Sequence, residues 1–206
     1  MDARGIRRIR KLLDWLEGIG VDSVAVSTPY LAEIVKKRYP NFFLKIGIYA
    51  NIDSPDRARY WEGMGAGMLV LESFSINRNF AVLAAIRKAV SCRLQLITNF
   101  TCLSRCPMQP YHMTGLSHGS SSSDNAAFVD YCVFKCTYWL LKDPSQLIKS
   151  QWIRPEDIPE CKKIWLAASV SFFFFGRARA LFGNRATLWS STICSGPEFP
   201  IVYVRC

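Results

Sequence analysis

Residues 98–136 concentrate the groups able to do chemistry in this chain: TNFTCLSRCPMQPYHMTGLSHGSSSSDNAAFVDYCVFKC. Four of the eight cysteines lie there as two C-x-x-x-C pairs, Cys102/Cys106 and Cys132/Cys136, and both histidines, His112 and His118, lie between the pairs. Thiolates are soft donors that suit zinc or an iron–sulfur cluster. A gap of three places the sulfurs of each pair four positions apart, so both project from one helical turn or one tight loop. The pattern points to a cysteine-ligated metal and leaves the metal open, because neither zinc nor a cluster is excluded by this spacing. Buried, unligated thiols are the alternative, since cysteine is among the most buried residue types.

His112 and His118 fit three roles: metal ligand, general acid/base, or a donor to sulfur or substrate. A thiol-protease dyad can also be drawn from Cys102 or Cys106 with His112 as base, but it leaves three thiols unexplained. The run Gly119–Asp124 reads as a loop that starts a helix through Phe128. Arg154, in the stretch IRPED, is a candidate anion contact at the mouth of the fold.

The elements that must position these groups alternate in type. Ile6, Ile9, Leu13 and Leu16 predict an amphipathic helix over 5–18, ended by Gly18 and Gly20. Strands are expected over 21–29, 42–51, 68–73 and 93–99. Helices fall between them: 29–38, a second from Ser54 and Pro55 to about Met64, and a third opened by Asn77 and running through Phe80, Leu83, Ile86 and Val90. Four βα units in succession predict a parallel sheet, closed as a barrel or open and doubly wound. Polar residues then collect at the strand ends: Ser27, Thr28, Asn51, Asp53, Glu72, Ser73, Asn99 and Cys102. In a barrel those ends form the working rim. Beyond the cysteines, 138–141 and 147–152 are apolar enough to be strands, and Pro155 with Glu156 and Asp157 suits a helix start.

The chain of 206 residues carries a net charge of +10, half its residues are apolar, and its mean hydropathy is +0.09. That composition is globular, and the basic excess favours an anionic partner such as RNA or a small acidic molecule. No apolar run reaches the roughly 18 residues of a membrane span, and the N-terminus lacks the apolar core of a signal peptide. A soluble, cytoplasmic protein with reduced thiols is the expectation. No G-x-G-x-x-G follows the first strand and no phosphate-binding G-x-x-x-x-G-K-[ST] occurs, which takes the main support from the dinucleotide and nucleotide-triphosphate readings. The stretch 165–206 has a different texture, with no Lys or Asp and one acid, Glu198. It reads as an idiosyncratic terminal subdomain or as the product of a shifted reading frame.

Asn99-x-x-Cys102-Leu103-x-x-Cys106-Pro107, then His112, Ser117, His118, Cys132 and Asp143-Pro144, and finally Ile153-Arg154-Pro155-Glu156-Asp157-Ile158, together resemble the peptidase U32 or collagenase-like protease family. The resemblance covers roughly residues 20–164. It implies an α/β fold of TIM-barrel-like (β/α) repeats over 1–164, with a cysteine-rich insert at 99–136 and an irregular tail. Eight strands are not countable, so the barrel is expected to be incomplete, permuted or completed by a partner subunit.

By the same resemblance, Cys102, Cys106, Cys132 and Cys136 hold a four-iron four-sulfur cluster, with zinc as the alternative. The implied activity is hydroxylation of RNA bases or of a quinone precursor, with His112, His118 and Arg154 as catalytic candidates. A peptidase acting through a thiol or a metal-bound water, and a zinc-stapled non-enzymatic subunit, are the other readings.

Overall fold

Four short strands form the centre of the molecule: β1 Ser23–Val26, β2 Phe43–Ile46, β3 Met68–Val70 and β4 Arg93–Ile97. The computed structural model describes residues 3–112, 114, 132–164, 170–171 and 201–203, with 3, 132–133, 170–171 and 201–203 described by backbone alone. Neighbouring strands are parallel and pair in sequence order, β1 on β2, β2 on β3 and β3 on β4. Two further short strands, β5 Val170–Ser171 and β6 Ile201–Tyr203, add to the two edges and give the order β5-β4-β3-β2-β1-β6. Among the described residues the wall is barrel-like and stays open between β5 and β6.

Each crossover uses the expected helix. α1 Ala3–Gly18 buries Ile9, Leu13 and Leu16 and leaves Arg7, Arg8 and Lys11 in solvent. α2 Pro29–Arg38 and α3 Pro55–Gly63 both start on proline, whose fixed φ and missing N–H suit the first turn. α4 Phe80–Ala89 returns the chain to β4. One face of the sheet, Val24, Val26, Leu44, Ile46, Leu69, Leu71, Leu94 and Leu96, packs with Leu13, Leu31, Val35, Trp61, Leu83 and Ile86 of the helices. Each such side chain stabilises the fold by about 1.5–3 kcal/mol. The opposite face, Ala25, Lys45, Met68, Val70, Gln95 and Ile97, is buried as well, as in parallel sheets covered on both sides. At its lower end the Phe43 ring lies against Gly67, where a Cβ would stand 2.3 Å from the ring, and Arg93 sits 5.5 Å from the ring centre.

Three expectations are corrected. The segments 138–141 and 147–152 are not strands; α5 Thr137–Lys142 and α6 Ser145–Lys149 occupy most of them. Short apolar runs do not separate helix from strand. Asp143 instead starts a helix, accepting from Ser145 N at 3.1 Å, from Ser145 Oγ at 2.6 Å and from Gln146 Nε2 at 2.7 Å. Only the end of the second run is extended, where Ile153 N donates to Thr98 O at 2.8 Å. The third correction concerns Asn77: the cap of α4 is Asn79, whose side chain accepts from Val82 N, and Asn77 is buried instead. The IRPED stretch forms a 3-10 turn Pro155–Asp157 leading into α7 Ile158–Ile164. No helix among the described residues is long and apolar enough to cross a membrane.

Candidate functional site: a thiol cluster beside an arginine-lined cleft

The upper end of β3 begins the site. Leu71 N donates to Gln95 O and Glu72 N to Ile52 O, each at 2.9 Å, which carries the strand direction past Val70. The buried Glu72 carboxylate then accepts from Phe74 N at 2.6 Å, from Ser75 N at 3.0 Å and from the Ser75 hydroxyl. Those donors satisfy a charge that would otherwise be costly to bury. Ser73 Oγ donates to Leu71 O and accepts from Ile97 N, tying the ends of β3 and β4 together. Asn77 Nδ2 donates to Ile97 O at 2.7 Å and to Gln151 O at 2.9 Å, which fixes the IRPED stretch against the same rim.

Cys102 follows this rim, five residues beyond the end of β4. Phe100 anchors the intervening chain on Phe74, with ring centres 4.2 Å apart. Cys106 comes one turn later, its N–H donating to Leu103 O at 3.2 Å. Cys136 arrives from a distant segment, at the end of the π-helical turn Cys132–Cys136 that leads into α5. Cys102, Cys106 and Cys136 are half-buried and form no disulfide. Burial pushes the Cys102 thiol up to about 11, and Cys136, Cys106 and Glu72 push it the same way. Thiols from two distant pairs therefore share one neighbourhood.

Among the described residues no group of three His, Cys, Asp or Glu stands in metal-binding geometry. The side chain of Cys132 and all of His118 lie outside the described residues. By donor chemistry, half-buried sulfurs, with the ionisation of Cys102 opposed by the other two, fit a cationic, sulfur-loving centre. His112 is half-buried in a helical turn after Cys106, its N–H donating to Met108 O at 2.9 Å.

Beside the thiols a cleft of about 640 Å³ is lined by Ser75, Arg78, Phe80, Arg105, Trp152 and Arg154, among others. Arg154 is held by Asp157, and hydrogen bonding to that carboxylate keeps the guanidinium even more firmly protonated than usual. Arg78 Nη2 donates to Ile148 O at 3.2 Å. Trp152 Nε1 donates to Leu147 O at 2.8 Å, which fixes its ring. Arg105 sits between Cys102 and Cys106 with φ at +53°, a left-handed conformation uncommon outside glycine. Three guanidinium groups and two aromatic rings thus line one concavity, against the single carboxylate of Asp157.

Sequence reasoning placed Arg154 here and missed Arg78, Arg105 and Trp152. Arg105 carried one signal, a cation enclosed by two cysteines; the other two offered none, because only the folded chain brings residues 78, 105 and 152 together.

The matched sequence extends well beyond the motifs. Over 155 residues the chain is 37% identical to the uncharacterized protease MJ1657 of Methanocaldococcus jannaschii, covering 75% of this chain and 46% of that protein. The fold matches the structure of the U32 peptidase Mk0906 with a TM-score of 0.61 at 22% identity, over 85% of this chain and 64% of the other. The chain is thus similar in sequence to an archaeal protease and shares the fold of a U32 peptidase. No family model matches it. The chain spans under half the length of this curated relative. The strand-end position of its thiols and cleft is the position in which barrel enzymes of many kinds carry their working groups.

Proposed function

We propose that this chain is a member of the U32 peptidase family that holds a four-iron four-sulfur cluster on Cys102, Cys106, Cys132 and Cys136, and acts in the hydroxylation of a base in RNA. What supports the reading is that Cys106 and Cys136, from segments some thirty residues apart in sequence, both stand near enough to Cys102 to oppose its ionisation. A cluster of this type, when bound, supplies electron transfer or substrate activation. The residues of the chain do the rest. Arg78 and Arg105 offer donors to phosphate oxygens, and the Trp152 ring offers a face for a base to stack on. His112, and His118 by the family resemblance, are the groups placed in sequence to carry a proton near the thiols. A cationic cleft favours a polyanion over a quinone precursor, which is largely apolar.

The test is anaerobic purification followed by iron, sulfide and zinc analysis. Brown protein whose visible absorption bleaches on reduction, with about four irons per chain, is the expected result. Colourless protein with stoichiometric zinc would refute the cluster.

The name of the curated relative favours a second reading, a peptidase. Hydrolysis of a protein substrate that survives Cys102→Ala and Cys106→Ala, but is blocked by chelators, would establish it in place of the first.

A further inference from the structure

We propose that Lys45 is a nucleophilic amine, set inside the strand wall of this chain to condense with the carbonyl group of a small aldehyde or ketone. The inference is independent of the thiol cluster and of the cleft, since it uses neither.

Lys45 is the third residue of β2, and only 1% of its surface is exposed. Its register partners are Ala25 on β1 and Met68 on β3, both apolar. All three belong to the sheet face turned away from the helical core, with Val70 and Gln95 one step higher toward the rim. Below this layer the Phe43 ring, packed on Gly67, closes the same face. Among the described residues the Nζ atom has no hydrogen-bond partner and Lys45 takes part in no ion pair.

A buried ammonium without a partner costs several kcal/mol, so proteins rarely keep one for packing. Had the amine served to hold an anion, further donors would be expected beside it. The backbone N–H groups here are taken by the strand ladder, and the register neighbours are a methyl group and a thioether. What such a setting favours is the neutral amine. Burial is the sole influence on it and lowers its pKa to about 8. A desolvated lysine of this kind is a nucleophile toward carbonyl carbon.

The step is a condensation that needs no oxidant. The Nζ lone pair attacks the carbonyl carbon, and the C=O π pair moves to oxygen. The two amine protons then leave with that oxygen as water while C=N forms.

The experiment incubates the full chain with glyoxylate and sodium cyanoborohydride at pH 8 and maps carboxymethyl-lysine by peptide mass spectrometry. Labelling at Lys45 is expected at a rate at least about tenfold above that of the exposed Lys37 and Lys163, as a depressed pKa requires. Labelling of the exposed lysines with none at residue 45, or at no greater rate, overturns the proposal. A second measurement needs no reagent access: Lys45→Met is expected to melt no lower than the parent, because an uncompensated amine is replaced by a side chain of similar shape. A lower melting temperature would mean that the amine serves the fold, and would also overturn the proposal.

Discussion

Arg154 Nε and Nη2 donate to the two carboxylate oxygens of Asp157 at 2.8 and 2.6 Å, so one edge of the guanidinium is already taken within its own turn. Asp157 is buried while the Arg154 side chain is half exposed. The pair therefore presents a fixed cation to the cleft, with the remaining guanidinium edge available to an anion.

Replacing Asp157 by Asn releases that cation. The loss in urea denaturation is expected to be about 1 kcal/mol, kept small by solvent at Arg154. Hydrogen bonding from Arg154 outweighs burial and holds the Asp157 carboxyl below the usual carboxylate range. Its contribution is thus present above the unfolded value near about 4 and is lost as pH falls through the lower folded value. Asp157→Asn should flatten the acid limb of the stability profile there. An unchanged acid limb would show that the pair does not form in solution.

Asn77 joins the β4 end to the segment before IRPED, with amide bonds of 2.7 and 2.9 Å to Ile97 O and Gln151 O. Asn77→Ala strands the buried Ile97 carbonyl and the partly buried Gln151 carbonyl and should cost about 1–3 kcal/mol. Amide exchange at Trp152 and Ile153 should accelerate more than exchange in β1, because the link lost is local.

Lys45 has a pKa lowered by burial from its ordinary value to about 8. The unfolded chain then binds the extra proton between about pH 8 and 10.5, so folding stability rises with pH across that window. The difference between the parent and Lys45→Met should shrink by about 3 kcal/mol from pH 7 to pH 10.5. Parallel profiles for the two proteins would contradict a buried, unpaired amine.

For the thiols, Cys102→Ser and Cys136→Ser are each expected to abolish the visible absorption of the anaerobic protein, although they lie in different segments. Cys92→Ser, in the turn before β4, should leave it intact, which separates ligand loss from general damage.

Arg105→Gln and Trp152→Leu test the cleft with a single-stranded RNA oligonucleotide. Loss of a phosphate contact at Arg105 should weaken binding at every sequence and lower the salt slope by about 0.7. Loss of the stacking face at Trp152 should cost about 1–3 kcal/mol with the salt slope unchanged. Equal affinity of both variants and the parent would remove the cleft from substrate binding.

Local pattern was enough for the alternating strands and helices up to Cys102, since each strand is rich in apolar residues and each helix buries apolar side chains, Ala58 and Trp61 in α3 and Leu, Ile or Val in the others. It was enough too for the two cysteine pairs and for the family resemblance, because those signals lie within a few consecutive residues. Segments 138–141 and 147–152 were misread because a run of apolar side chains has no period of its own, and Asp143 decided the matter through hydrogen bonds. Only the assembled sheet could bring Cys136 beside Cys102, gather residues 78, 105 and 152 around one cleft, and enclose Lys45 between Ala25 and Met68. These are contacts between distant positions, set by strand order and register, and no spacing along the chain encodes them directly.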